Sequence, residues 1–335
     1  MKFLICGLGS IGQRHYRNLK ALGQDEILVY RTGKGTNDFV QKFVDEHAPV
    51  IFTDLGKALE CRPDAVIVSN PTARHVPVAL EAARAGCHLF IEKPISNNWT
   101  GLNELRHEAD KRSLVTYIAY NLRFHPFLRT LSDWLANELV GKPVSFHAEM
   151  AERVNTWHPW EDYRVGYAAR QDLGGGVVLT QSHELDYLYW LFGPVERVAA
   201  IGGKLGDLEM DVEDVAKMLL SFQSGLVGSL DIDYLKNPPK RSLEVVTTRG
   251  RIFWDYFGKK LDFIPVDQKY EAMSEQEPTG FERNQMFIDE LNHFRDCVAG
   301  KIQSLNPLES ALKVFRILLA VKESLVTKTI VTPLQ

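Results

Sequence analysis

The sequence lacks several features that would assign it to a special class of protein. Its 335 residues contain no apolar run near the roughly 18 residues that a membrane-spanning helix needs. The opening stretch Met1–Cys6 is too short for the core of a signal peptide. The formal net charge of -4 gives no reason to expect nucleic acid or an anionic membrane as a partner. We therefore expect a protein that binds neither.

Cysteine is scarce as well. The four cysteines lie far apart, and none belongs to a CxxC pair. We expect them to be reduced and buried, which is typical of a cytoplasmic protein. The ten histidines are scattered, with no HExxH motif and no carboxylate cluster at ligand spacing. The sequence therefore predicts no metal site.

Internal repeats and low-complexity tracts are also absent, and the remaining pattern is that of a two-domain α/β protein. In the first 120 residues, short apolar runs alternate with segments whose apolar residues recur at helical spacing. This pattern is typical of a parallel sheet covered by helices. From Pro143 onward strand patterns dominate, separated by turns that contain Gly and Pro. We predict a Rossmann dinucleotide-binding domain over 1–120 and a second domain over 121–335. The junction shows no flexible linker, so we expect an active site at the seam.

Three glycines follow the first predicted strand, at Gly7, Gly9 and Gly12. In a dinucleotide-binding fold the first permits a tight turn, the second lets the pyrophosphate approach, and the third lets the helix pack on the strand. The phosphates would lie at the start of the helix, beside Ser10 and Ile11, where N–H groups favour negative charge. The alternative is a glycine-rich turn without a ligand.

The end of the second predicted strand bears on the choice of cofactor. It carries Arg31 and Thr32, and no acidic residue follows before Asp38. An acid here would bind the ribose 2′-OH of NAD, whereas an arginine suits the 2′-phosphate of NADP. The pattern favours NADP over NAD. The alternative is that Arg31 stacks on the adenine and NAD is used.

The loop after the fourth predicted strand is a further candidate for cofactor binding, because loops at the carboxyl ends of parallel strands line the ligand crevice. Ser69, Asn70 and Pro71 form this loop. His75 lies one turn into the next helix, where it either faces the cofactor or is simply solvated. Thr72 is a plausible N-cap for that helix.

The fifth predicted strand ends in Glu92, Lys93 and Pro94. A lysine at this place projects its ammonium into the crevice where a nicotinamide would lie. It could polarise a hydroxyl that loses hydride, or pass a proton. The alternative is an ordinary surface lysine in a loop.

Two further motifs lie in the second half of the chain, at Gly174–Gly176 and His183–Asp186. Together with the glycine-rich turn and the Glu92–Pro94 triplet, they make the chain resemble the family of glucose–fructose oxidoreductase, inositol dehydrogenase and MocA. The resemblance extends over nearly the whole chain. It implies an NAD(P)-dependent sugar dehydrogenase whose second domain has an open, mostly antiparallel sheet. One face of that sheet would carry the substrate and the other often a subunit interface, so we expect a homodimer or homotetramer.

The helix after Gly174–Gly176 is predicted to carry the second catalytic residue. A spacing of three puts Thr180, His183 and Asp186 on one side of it. A histidine side chain has an unperturbed pKa of about 6.5, which suits it to take the proton of a sugar hydroxyl as hydride leaves the same carbon. His183 is the candidate for this role. The family usually has Asp where this chain has Thr180, so a relay through an acid would need Asp186, Glu184 or another residue. The alternative is a packed helix histidine.

Two segments are predicted to bind substrate. Asn121 and Arg123 follow the last strand of the first domain, and members that resemble this segment place them beside nicotinamide and substrate. The second segment contains Trp157, His158, Tyr163 and Arg164. Its aromatic side chains offer flat faces for a sugar ring, and its arginine offers a guanidinium fork for a carboxylate or phosphate. This pattern resembles members that act on amino, acidic or nucleotide-linked sugars. The alternative is a hydrophobic plug over the sheet edge.

Together these features predict hydride transfer between a nicotinamide and a ring carbon of a sugar. His183 would take the hydroxyl proton, and Lys93 would steady the oxyanion. Thr180 would help to bind the substrate, and Glu92 the cofactor. The direction of the reaction stays open. The alternative is a cofactor-binding regulator, against which the presence of both Lys93 and His183 argues.

Overall fold

The computed structural model describes residues 1–33, 38–158 and 160–333. The chain divides into two compact units. The first unit consists of Met1–Asn121, Asp172–Gly174 and Arg283–Ala311. The second unit consists of Leu122–Gln171, Gly175–Glu282 and Leu312–Gln335. The chain therefore returns to the first unit after it has entered the second.

The first unit contains the parallel sheet that the sequence predicts. Its six strands are β1 (Phe3–Cys6), β2 (Ile27–Tyr30), β3 (Val50–Phe52), β4 (Ala65–Val68), β5 (His88–Ile91) and β6 (Thr116–Ile118). They are ordered β3-β2-β1-β4-β5-β6, and every neighbouring pair is parallel. β1 and β4 are buried on both faces, as continuous apolar runs require. This order reverses direction between β1 and β4, where a Rossmann fold binds its ligand.

Five helices connect these strands: α1 (Ser10–Ala21), α2 (Asp38–His47), α3 (Leu55–Glu60), α4 (His75–Arg84) and α5 (Leu102–Lys111). The expectation of an N-cap at Thr72 is wrong. A 3-10 turn occupies Thr72–Arg74, and α4 begins only at His75. The short helix α3 is an addition to the predicted elements, with an N-cap bond from the Lys57 N–H to the Asp54 carboxylate.

The second unit is built on an open sheet of eight strands: β7 (Pro143–Ala151), β8 (Val195–Gly203), β9 (Val215–Phe222), β10 (Val227–Asp233), β11 (Lys240–Thr247), β12 (Gly250–Asp255), β13 (Lys260–Pro265) and β14 (Met273–Gln276). The order is β14-β13-β12-β11-β7-β10-β9-β8. Among the described strands of this sheet, only β7 and β10 pair in parallel, so the predicted mostly antiparallel sheet is confirmed.

The remaining helices are α6 (Pro126–Ala136), α7 (Val177–Thr180), α8 (Ser182–Phe192), α9 (Arg283–Val298) and α10 (Leu308–Thr327). The prediction that Thr180, His183 and Asp186 share one helix is wrong. The backbone leaves helical geometry at Gln181, with φ -91° and ψ 33°. Thr180 therefore ends α7, while His183 and Asp186 lie one turn apart on α8.

Helix α9 packs into the first unit although it follows most of the second unit in sequence. The Phe294 ring lies 5.4 Å from Phe90 on β5 and 5.9 Å from Tyr117 on β6, measured between ring centroids. The side chains of Asn284 and Asn18 exchange amide hydrogen bonds of 2.8 and 3.3 Å. The core of the first unit therefore includes a segment from the far end of the chain.

All four cysteines are free thiols. Three are buried, as expected, but Cys61 is half-buried. Among the described residues, every helix is too short or too polar to cross a membrane.

Candidate active site

The glycine-rich turn lies between β1 and α1, and its glycines differ in what surrounds them. Gly7 has φ +106°, and a Cβ there would lie 2.7 Å from the Asn70 nitrogen. A Cβ at Gly12 would overlap the Gly7 carbonyl. A Cβ at Gly9 would meet no described atom within 4 Å. Gly7 and Gly12 are therefore required by packing, whereas Gly9 opens onto space that a pyrophosphate can occupy.

The start of α1 has the character of an anion site. Gly9 is the N-cap residue, so no side chain caps the helix, and its first turn contains no acidic residue. The first-turn N–H groups around Ser10 and Ile11 are therefore suited to hold phosphate oxygens. Ser69 Oγ donates to the Gly7 carbonyl at 3.1 Å, which ties the end of β4 to the turn. This cradle fits a dinucleotide.

The loop after β4 adds a further group that a cofactor could satisfy. The Oδ1 atom of Asn70 is buried and has no hydrogen-bond partner among the described residues. A buried acceptor without a partner costs free energy, which a donor on a bound molecule would recover. Pro71 follows, half-buried.

His75 lies inside this part of the first unit, so the alternative of a solvated side chain is wrong. Only 2% of the residue is exposed. Its Nδ1 lies 2.9 Å from the Pro94 carbonyl oxygen, and its Nε2 lies 2.8 Å from the Asn70 carbonyl oxygen. Burial lowers the pKa of His75, although both carbonyls and Glu92 oppose the effect. The ring joins the loops after β4 and β5.

The Glu92–Pro94 turn follows β5, and its glutamate has a partner that the sequence analysis missed. Glu92 Oε1 lies 2.7 Å from Nε2 of His15 on α1, and both residues are buried. Burial acts to raise the pKa of Glu92, but the hydrogen bond and charge of His15 and the charge of Lys93 lower it overall. Glu92 Oε2 also accepts the Lys93 backbone N–H at 3.3 Å. The Glu92 carboxylate is therefore fixed in position by His15 and by the Lys93 backbone.

The end of β2 leaves the choice between NADP and NAD open. The Arg31 backbone N–H donates to the Phe52 carbonyl at 3.0 Å, and Thr32 is exposed. Both residues thus lie where the sequence predicts, but the stretch 34–37 lies outside the described residues.

In the second unit, the two acidic residues that follow His183 on α8 each form a buried ion pair. Asp186 accepts two hydrogen bonds from Arg123, of 3.0 Å at Nε and 2.6 Å at a terminal nitrogen. Glu184 accepts from Nε of Arg241 at 2.8 Å. Burial raises the pKa of Asp186, and the charge of Arg123 opposes that rise. Both acids proposed for a relay are therefore bound to arginines, and His183, which precedes them on α8, is half-buried.

Arg123 has a structural contact in addition to its predicted use as a substrate ligand. Its guanidinium is bound to Asp186 and lies 5.9 Å from the ring centroid of Trp190. Asn121 begins the same 3-10 turn and is buried. Arg123 therefore holds α8, and its direct contact with substrate stays a prediction.

The long segment before Gly174–Gly176 is ordered as short 3-10 turns at Val154–Thr156, Tyr163–Val165, Tyr167–Ala169 and Gln171–Leu173. The Trp157 ring packs edge-on to Tyr234, with centroids 5.4 Å apart, and His158 lies beside Trp160. The Tyr163 hydroxyl and the Arg164 guanidinium instead bind Glu209. The four predicted ligands thus fall into two groups.

Arg164 is further restrained by Asp162, with an N–O distance of 2.8 Å. Its fork is therefore already shared between two carboxylates. Thr180 is buried at the end of α7, so no charge stands where the family usually has Asp. Within the described residues, no group of three His, Cys, Asp or Glu side chains could hold a metal ion.

In a comparison with known proteins, two segments of the chain match family models. Residues 1–120 match an oxidoreductase family with an NAD-binding Rossmann fold. Residues 128–253 match the GFO/IDH/MocA C-terminal domain. The chain belongs to the GFO/IDH/MocA family. The resemblance deduced from its motifs is thereby confirmed, as is its assignment to the oxidoreductases.

Among curated members of the GFO/IDH/MocA family, myo-inositol 2-dehydrogenase of Thermotoga maritima is 29% identical over 76% of this chain and 75% of its own. UDP-N-acetylglucosamine 3-dehydrogenase of Acidithiobacillus ferrooxidans is 26% identical over 79% of this chain and 74% of its own. The WlbA dehydrogenase of Bordetella pertussis, solved with NADH and UDP-GlcNAcA, superposes with a TM-score of 0.81 at 19% identity. That alignment covers 100% of this chain and 99% of the other. At this identity the likeness shows the fold alone.

Proposed function

We propose that this protein is an NAD(P)-dependent dehydrogenase that transfers a hydride between the nicotinamide and a ring carbon of a sugar or sugar derivative. The observation that carries the proposal is the position of Lys93. It follows β5 at the same edge of the parallel sheet as the open cradle at Gly9, since the carboxyl ends of β1, β4 and β5 share that edge. An ammonium there is suited to stabilise charge that develops on a reacting oxygen.

The residues of this chain divide the chemistry in the following way. The bound cofactor supplies a hydride acceptor or donor. His183 takes the proton of the sugar hydroxyl, and Lys93 stabilises the negative charge on its oxygen. The ion pairs of Glu184 and Asp186 hold α8 in place, so that His183 keeps a fixed direction.

For the substrate, we propose an amino, acidic or nucleotide-linked sugar. Trp157 is half-buried and packs edge-on to the buried Tyr234, so its ring offers a face for a sugar ring. The similarity to an enzyme named for UDP-N-acetylglucosamine supports this class. Because the chain is also similar to myo-inositol 2-dehydrogenase, cyclic polyols are a second class of substrate to test.

For the cofactor, we propose that NADP is used in preference to NAD. The support is Arg31 at the end of β2, with an exposed Thr32 beside it. Arg31→Ala is expected to weaken NADP binding far more than NAD binding in a fluorescence titration. Equal effects on the two cofactors, or a wild type that prefers NAD, would overturn this preference.

The decisive test is a screen of sugars, cyclic polyols and sugar nucleotides with both cofactors, followed by nicotinamide absorbance. Lys93→Met and His183→Ala are expected to keep cofactor binding and to lose about 100-fold or more of kcat. Exposed residues provide matched controls, as Lys20→Met and His107→Ala. Unchanged turnover in the Lys93 and His183 variants would refute the assigned roles.

We also propose a homodimer or homotetramer that forms through one face of the second unit's sheet. Strand register sets five exposed apolar side chains on that face: Ile201, Leu219, Val227, Val246 and Ile264. Such a stripe is typical of a surface that a partner covers. Leu219→Asp should lower the mass measured by light scattering, and a monomeric wild type would contradict the proposal.

A further inference from the structure

Two buried histidines lie on either side of Lys93 in the first unit, and the proposed chemistry uses neither. His15 is 0% exposed and comes from α1. His75 opens α4. Each contacts one of the two residues that flank Lys93 in sequence. A buried imidazole needs a hydrogen-bond partner, and these two find theirs at the same short turn.

The turn leaves the sheet just before Lys93. The Glu92 N–H donates to the Val68 carbonyl at 2.9 Å, as part of the pairing between β5 and β4. Side chains also hold the turn. A lysine side chain has four rotatable carbon links, so the direction of its ammonium depends on how firmly the backbone beneath it is fixed.

On the amino-terminal side of Lys93, His15 binds the Glu92 carboxylate at 2.7 Å. The His15 ring is itself held by aromatic contacts, since its centroid lies 5.2 Å from that of Phe90 and 6.5 Å from that of Phe287 on α9. The other carboxylate oxygen accepts the Lys93 N–H. A chain of contacts thus runs from α1 through Glu92 to the Lys93 backbone.

On the carboxyl-terminal side, His75 lies 2.9 Å from the Pro94 carbonyl and 2.8 Å from the Asn70 carbonyl. Proline has no N–H, so its carbonyl is the one backbone group through which the turn can be held at that residue. The same ring thereby links the Lys93 turn to the loop that carries the orphaned Asn70 Oδ1 atom.

We propose that His15 and His75 are positioning residues that hold the Glu92–Pro94 turn from both sides and so fix the direction of the Lys93 ammonium. The inference rests on the proposed function, because it supposes that Lys93 acts on the reacting oxygen. Neither histidine takes part in the chemical step. Each acts through the backbone of Lys93.

The first test needs no sugar. Wild type and variants are treated with an acetylating reagent, and acetylation of Lys93 is measured by peptide mass spectrometry against that of the exposed Lys20. His15→Leu and His75→Leu are expected to change this ratio about threefold or more, because the ammonium loses its fixed surroundings. His15→Gln keeps a donor at similar reach and should restore the wild-type ratio.

The matched control is His88→Leu. His88 lies at the opposite end of β5, where its Nδ1 accepts the Val115 N–H at 3.0 Å, so its loss removes a similar bond without touching the turn. Its acetylation ratio and kcat should match wild type. If His15→Leu does not fold, His15→Asn replaces it, because the shorter amide does not reach Glu92.

The second test uses a sugar from the screen. His15→Leu and His75→Leu should lower kcat about tenfold to 100-fold with little change in NADPH or NADH affinity. In a Lys93→Met background the same substitutions should lower kcat no further. Unchanged acetylation in both leucine variants, or a further loss of kcat without Lys93, would overturn the inference. If the screen yields no substrate, the proposed function fails, while acetylation still tests the two histidines.

Discussion

Breaking the Arg123–Asp186 pair on one side is expected to destabilise the second unit strongly. Only 5% and 1% of the two side chains are exposed, and their contact is bidentate. Asp186→Leu removes the bidentate carboxylate partner of a buried guanidinium, and Arg123→Met removes the bidentate guanidinium partner of a buried carboxylate. Each single change should lower the free energy of unfolding by about 3–5 kcal/mol. The double variant should recover most of that loss, because apolar groups then fill the place of both charges.

The assay is guanidinium unfolding followed by tryptophan fluorescence and circular dichroism, with the coupling energy taken from the complete double-mutant cycle. An exposed pair in the same unit serves as the control. Arg251 and Glu244 lie 3.3 Å apart, and 54% and 39% of their side-chain surfaces are exposed. Glu244→Leu should change the free energy of unfolding by about 1 kcal/mol or less.

Two results would refute this reasoning. One is a single variant, Asp186→Leu or Arg123→Met, that is no less stable than the Glu244→Leu control. The other is a double variant whose loss equals the sum of the two single losses, since independent residues would behave in that way. Either result would mean that the pair does not hold α8.

Three further predictions concern the cofactor cradle and acid stability. Gly9→Ala should weaken NADPH and NADH binding while the melting temperature stays near wild type, because the added Cβ meets no described protein atom within 4 Å; wild-type affinity would show that the cradle is not used. Gly12→Ala should instead lower the melting temperature, because its Cβ overlaps the Gly7 carbonyl; an unchanged melting curve would contradict the packing role. Burial, with the charge of Arg241, lowers the pKa of His125 to about 3. An unfolded histidine has a pKa of about 6.5, so stability should fall as pH drops from about 6.5 towards 3, and His125→Phe should flatten that dependence in pH-dependent unfolding. The same slope in both proteins would refute the last prediction.

The first unit was largely predictable because its signals are local. Runs such as Phe3–Cys6 and Ala65–Val68 are apolar throughout and bounded by turn residues, so their burial in a parallel sheet follows from composition. Helix α3 was missed because its six residues hold only two buried apolar side chains, too few for a periodic pattern. The edge strand β14 was missed for a similar reason, since three of its four residues are exposed.

The pairings within the candidate site could not be predicted from the sequence. His15 and Glu92 are 77 positions apart, and Arg241 and Glu184 are 57 positions apart. A sequence shows which residue types are present, but only the fold brings such partners together. Arg164 illustrates the limit, because nothing local indicates that Glu209 lies beside it. The break at Gln181 was also hidden, since Val177–Phe192 contains no Gly or Pro that would signal the end of a helix.

The return of α9 to the first unit has a consequence for how the protein is made. Phe294 and Asn284 complete the core around β5 and α1, yet they are synthesised after nearly all of the second unit. A ribosome that has released only the first 121 residues therefore exposes a Rossmann sheet with part of its covering still unmade. We expect chaperones to bind this segment until α9 emerges from the ribosome. The first unit would then complete its fold only after most of the second unit has been synthesised.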